Sequence, residues 1–155
     1  MARMMIRRSV IVLATTLSMC LLAMGQGTKP AAKPAVEDLG FVKSSPAYAE
    51  LQLRRTELLS ELESLLIDYN EEFPKIKELR FTIALLDRDI ARISKVKSSE
   101  ASKLTLALGK LILRRVELEI ELSNRLKNYK DEHPDVKRAK RKVEIYESAV
   151  SDILN

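Results

Sequence analysis

Tyr129-Lys130-Asp131-Glu132-His133-Pro134, and its counterpart Tyr69-Asn70-Glu71-Glu72-Phe73-Pro74, are the stretches on which the fold of this 155-residue chain turns. A proline has no amide proton to give, and its ring collides with the preceding turn, so it opens a helix and does not sit inside one. Each stretch lies between two long segments of helical apolar periodicity. Each therefore predicts the corner of a helical hairpin, marked by Tyr69, Phe73 and Pro74 in the first and Tyr129, His133 and Pro134 in the second.

Working outward, a shift of 60 residues lays Leu53 to Ile90 on Leu113 to Val150 without a gap, and 12 of the 38 pairs are identical. Leu53-Arg54-Arg55 falls on Leu113-Arg114-Arg115, Glu57-Leu58 on Glu117-Leu118, and the corner tyrosines and prolines fall on each other. A match that keeps both corners in step points to tandem duplication, with one hairpin as the repeating unit.

Beyond each proline the apolar residues step by three and four: Ile76, Leu79, Ile83, Leu86, Ile90, Ile93, and again Val136, Ala139, Val143, Tyr146, Val150, Ile153. Before each proline the same steps carry Tyr48, Leu51, Arg55, Leu58, Leu62, Leu65, Tyr69 and Leu108, Leu111, Arg115, Leu118, Leu122, Arg125, Tyr129. These are heptad seams of the coiled-coil kind, and Leu59, Leu66, Ile112 and Leu126 widen them as if more than one neighbour must be covered. An Arg sits on the seam in both copies. Folding at the corners brings Arg55 within a turn of Asp87, and Arg115 within a turn of Glu147, so two register-setting ion pairs are expected. Near the second corner Arg125 and Ala139 replace Leu65 and Leu79, which predicts a looser second hairpin there.

Between the copies, Lys97-Ser98-Ser99-Glu100-Ala101-Ser102-Lys103 interrupts the seam. A turn there, with Ser98 or Ser99 capping a new helix, gives four antiparallel helices; a continuous central helix is the alternative. The expected organisation is all-α: signal peptide 1–25, disordered linker 26–46, hairpin repeat 47–97 and hairpin repeat 98–155. The linker reading rests on Pro30, Pro34 and Pro46 among few apolar residues, with Ser45 and Pro46 opening the first long helix.

The leader reading rests on Arg3, Arg7 and Arg8, an apolar run from Val10 to Met24, and small residues at Ala23 and Gly25. Of the formal charge of +5, three units come from those arginines; residues 26–155 hold 24 basic and 22 acidic residues. The apparent basicity is thus mostly an address, and nucleic acid is not an expected partner. The expected location is periplasmic or secreted. An uncleaved anchor, or a lipoprotein site at Cys20, the only cysteine, would instead bring membrane contact.

The residue inventory offers no catalytic constellation. His133 is the only histidine, Phe73 stands in its place in the first copy, and there is no second His or Cys to complete a metal site. Glu57 with Glu61 and Glu117 with Glu121 share helix faces with arginines, the pattern of solvated ion pairing. The expectation is a non-catalytic protein without a cofactor or bound metal. Lys137, Arg138, Lys140, Arg141 and Lys142 fall off the seam and form a candidate anion-binding face for an envelope polymer.

Tyr129-x-x-x-His133-Pro134-x-Val136, followed by a heptad-like helix, resembles the periplasmic coiled coil of the polysaccharide chain-length determinant and exopolysaccharide-transport family. The likeness covers Tyr129 to about Leu154, and more faintly Tyr69 to Ile93. It implies an extracytoplasmic coiled-coil arm in the cell envelope; the second membrane span, membrane-proximal α/β part and kinase segment of that family have no counterpart here. The function expected is a structural or protein-interaction module, with a protein partner or a homo-oligomer formed through the seams. The alternative is a chaperone-like or anionic-polymer-binding helical protein.

Overall fold

The structure, a computed structural model, describes residues 40–155; the expected signal peptide, Cys20 and spacer residues 26–39 lie outside them. The described residues are all-α, with six helical segments and no strand. Helix α1 spans Gly40–Lys43, α2 Pro46–Asp68, α3 Pro74–Ile93, α4 Leu106–Leu126 and α5 Pro134–Leu154, with a 3-10 segment at Ser98–Lys103. No helix among the described residues is long and apolar enough to cross a membrane.

The helix starts follow local chemistry. The Ser45 hydroxyl accepts the Tyr48 amide at 3.3 Å and donates to the Val42 carbonyl at 2.6 Å, while Pro46 takes the first helical position. Pro74 and Pro134 likewise open α3 and α5. Two boundaries differ from the sequence expectation. The linker does not run to residue 46: Gly40–Lys43 is helical and Val42 is buried in the core, because a short apolar pair next to a capped helix can pack without any periodicity of its own. The second copy's first helix is capped by Thr105, whose hydroxyl accepts the Leu108 amide at 3.2 Å, and not by Ser98 or Ser99, which lie in the 3-10 segment.

At each corner the tyrosine stacks on the residue before proline. Tyr69 lies 4.3 Å from Phe73 and Tyr129 lies 4.2 Å from His133, ring centre to ring centre. His133 is a cap as well as a platform, since its Nδ1 accepts the Asp135 amide at 3.2 Å. A cation on the following helix then ties each corner down, Arg80 to Glu71 at 2.7 Å and Lys140 to Asp131 at 2.9 Å.

Ion pairs give the helix directions. Arg55–Asp87 and Glu61–Lys75 make α2 and α3 antiparallel, and Arg115–Glu147 and Arg125–Asp135 do the same for α4 and α5. Helix α3 also runs antiparallel to α4, from Arg88–Glu119 to Glu78–Asn124. Helices α2 and α4 are side by side and parallel. Helix α4 is central, packed against α2, α3 and α5; α2 and α3 both rest on it and on each other, and α5 packs mainly on α4.

Both corners therefore lie at one end. At the other end Val42, Leu51, Ile93, Leu104, Leu108 and Ile112 are fully buried, each contributing about 1.5–3 kcal/mol. Here α2 and α4 touch most closely. A Cβ on Gly109 would meet the Ala47 Cα at 3.2 Å and the Glu50 Cβ at 3.1 Å, so the only glycine inside a long helix among the described residues marks a backbone contact. The Ala47 amide also donates to the Leu104 carbonyl at 3.3 Å.

On α4 the buried stripe is wider than the heptad seam. Ile112 and Val116 are buried while Leu111 and Leu122 are half-exposed, as a helix with three neighbours requires. Towards the second corner, Leu118, Val136 and Ala139 are buried but separate from the continuous core that includes Leu62, Ile76 and Leu79 of the first.

Candidate functional site: a charged junction between the helix pairs

The densest buried chemistry lies where α3, α4 and α5 meet. Arg115 and Asp89 are 2% and 1% exposed, and the Arg115 guanidinium bonds to Asp89 from α3 and to Glu119 one turn on in α4. Its Nε lies 3.2 Å from Glu147 of α5, but the angles do not make a hydrogen bond, and it is the one buried side-chain polar atom among the described residues without one. Around this centre Arg88 donates to Glu119 at 2.9 Å, and Arg92 donates to Glu147 at 2.7 Å and to the Ser151 hydroxyl at 2.9 Å. The six charged residues line a cleft of about 390 Å³.

Three arginines face three carboxylates, so the formal charges balance, and the unequal burial shows in the acidities. Burial pushes the Asp89 carboxyl above its ordinary range; Arg115 and Arg88 oppose this, and Glu119 and Glu147 add to it. Burial pushes Glu147 the same way, but hydrogen bonding from Arg92 and the charges of Arg92 and Arg115 outweigh it and leave Glu147 below its usual value. Such a cluster fixes which residues of three helices face each other, because any slip strands a charge out of water. It holds carboxylates and guanidiniums bound to one another, and the hydroxyl at its edge, Ser151, donates to Glu147 at 3.1 Å while accepting from Arg92.

The residues singled out in the sequence fall as follows. Arg55 donates to Asp87 at 2.6 Å, at a partly exposed site that only α2 and α3 form. Arg115 does approach Glu147, but that pair is secondary: the two terminal nitrogens go to Asp89 and Glu119, because α3 lies across α4. Asp89, Arg88, Arg92 and Glu119 were not in the expected set. For three of them the sequence signal is the repeat itself, in which Asp89 falls on Ala149, Arg88 on Ser148 and Glu119 on Leu59, so that charges stand where the other copy has none; Arg92 falls on Asp152 and carries no such signal.

The candidate anion-binding face is largely engaged within the chain. Arg138 bonds to Asp135, Lys140 to Asp131 and Arg141 to Glu144, Lys142 stands near Glu121 and lowers its pKa, and Lys137 makes no ion pair. Glu57 and Glu117 pair with Arg54 and Arg114 at 2.9 and 2.6 Å, and Glu61 and Glu121 with Lys75 and Arg125 at 3.5 and 2.6 Å. The corner residues Tyr69, Phe73, Tyr129 and His133 form the stacks described above and do not approach this junction. Compared with known protein families, with curated proteins and with solved structures, the chain matches none.

Proposed function

We propose that the chain is an exported, non-catalytic interaction module of the cell envelope, built as two tandem antiparallel helical hairpins. The observation that carries this reading is the internal pairing of its chemistry. The buried Arg115 cluster and the seam pairs are consumed in holding helices to helices, and what remains outside is two long charged arms whose corners share one end. The leader pattern at Arg3 to Gly25 and the likeness of Tyr129 to Leu154 to an envelope coiled coil support the extracytoplasmic place.

The test has two parts. A reporter active only outside the cytoplasm, fused after residue 155, reads export, and cross-linking in the native envelope reads partners. Export with a reproducible protein adduct is the expected result. A cytoplasmic reporter, or a protein that forms no adduct and instead suppresses aggregation of an unfolded outer-membrane protein, would replace this reading with the chaperone-like one.

A further inference from the structure

The corner-proximal halves of the four long helices alternate in charge. From Glu57 onward α2 carries Glu57, Glu61, Glu63 and Asp68 and no cation. The facing half of α3 has Lys75, Lys77 and Arg80 against Glu78, that of α4 has Glu117, Glu119 and Glu121 against Arg125, and that of α5 has five cations, Lys137 to Lys142, against Asp135 and Glu144. Inside the fold α3 is thus set beside α2 and α4, and α5 beside α4, each pair of opposite sign, while the two negative helices α2 and α4 touch at the end away from the corners. The two outer edges are left over, α2 negative and α5 positive, at the same height along the bundle. Glu63 and Asp68 on one edge and Lys137 on the other make no ion pair, and Arg138 and Arg141 are about three-quarters exposed.

The repeat supplies the geometry. A shift of 60 residues lays α5 on α3 and α2 on α4, so the internal α3–α4 contact shows how an α5 edge can receive an α2 edge. Leu85, buried on α3, becomes Ile145 on α5, 54% exposed. Ile67, near the end of α2, is 83% exposed.

We propose that the α5 edge of one copy docks antiparallel against the α2 edge of a second copy, so that the chain associates with itself edge to edge. This rests on the reading of the protein as an interaction module and names its partner. The contact uses different patches on the two copies, so it grows into rings or open arrays. It lacks the buried lock of the internal junction, since Ala149 and Leu59 replace Asp89 and Glu119. Surface charge therefore governs it, and association falls steeply with salt.

The purified full chain is followed by light scattering at about 20 mM and about 300 mM salt, where screening shortens from roughly 20 Å to under 10 Å. Concentration-dependent association at low salt, reversed at high salt, is expected. Glu63→Lys with Asp68→Lys neutralises one edge, and Arg138→Glu with Arg141→Glu the other; each variant alone is expected to stay monomeric with unchanged helical circular dichroism. Mixed in equal amounts they form a one-to-one complex that grows no further, because only one intact α5 edge and one intact α2 edge can meet. A wild-type monomer at low salt, association that persists in either variant, or a mixture that forms no complex overturns the proposal. Monomers that still cross-link to another protein in the native envelope sink self-association alone and leave the module reading standing.

Discussion

Arg55 and Arg115 occupy equivalent places in the two copies, yet one is a partly exposed residue with a single partner and the other is buried among three carboxylates. The difference lies in the neighbours. Helix α3 lies across α4, supplying Asp89, whereas Arg55 has no ion-pair partner outside the α2–α3 pair. The same seam position thus sets the register of one helix pair in the first copy and the docking of two pairs in the second.

The sharpest way to break this comparison is to remove each arginine in turn. Arg115→Ala leaves Asp89 buried without its cation and is expected to cost about 3–5 kcal/mol in urea unfolding. Arg55→Ala, at a partly exposed pair, is expected to cost about 1 kcal/mol or less. Equal costs would mean that the junction adds nothing beyond a surface pair.

A second measurement concerns the contact that sets the copies side by side. Gly109→Ala gains about 1 kcal/mol of helix propensity but forces a methyl group against the Ala47 backbone, and a net loss of about 1–2 kcal/mol is expected by thermal or urea unfolding. A net gain would show that α2 and α4 part easily there.

Hydrogen exchange compares the corner-proximal ends. Amides around Val136 and Ala139 are expected to exchange faster than those around Ile76 and Leu79, since the second group belongs to the continuous core and the first does not. Equal protection would remove the asymmetry between the copies.

The smallest effect is in pH dependence. Asp89 has a raised pKa in the fold, so its charge costs stability at neutral pH, and that cost is relieved as pH falls through its folded value towards the ordinary 3.8. Glu147 has a lowered pKa; its contribution is full above its ordinary 4.5 and is lost as pH falls through the folded value. Asp89→Asn is expected to leave stability falling monotonically below about pH 5, without the gain that Asp89 supplies in wild type. Identical profiles for the two proteins would deny Asp89 its raised pKa.

What the sequence disclosed and what it withheld divide along the same line. Helix type, the corners at Pro74 and Pro134 and the cap at Ser45 depend on a few consecutive residues, and they are readable because proline geometry and apolar spacing act locally. The Arg55–Asp87 contact is readable too, since a corner and a seam suffice to predict it. Asp89 is not, because its partner lies on another helix pair and its burial depends on how two pairs cross. Gly109 looks like a cost to helix α4 until Ala47 is set beside it. Val42 belongs to a segment too short to show a period, and its burial depends on the α2 start and Leu104 being near.

The Val42 anchor has a consequence for reach. The chain enters the bundle at α1, and α1 is packed beside the 3-10 segment, at the end away from the corners. Helix α2 then runs 23 residues before its corner, a span of about 35 Å. Whatever holds the protein through its N-terminus therefore holds it by the foot. The stacked tyrosines, Tyr69 on Phe73 and Tyr129 on His133, stand a full helix length beyond that foot, at a distance set by the number of residues in α2.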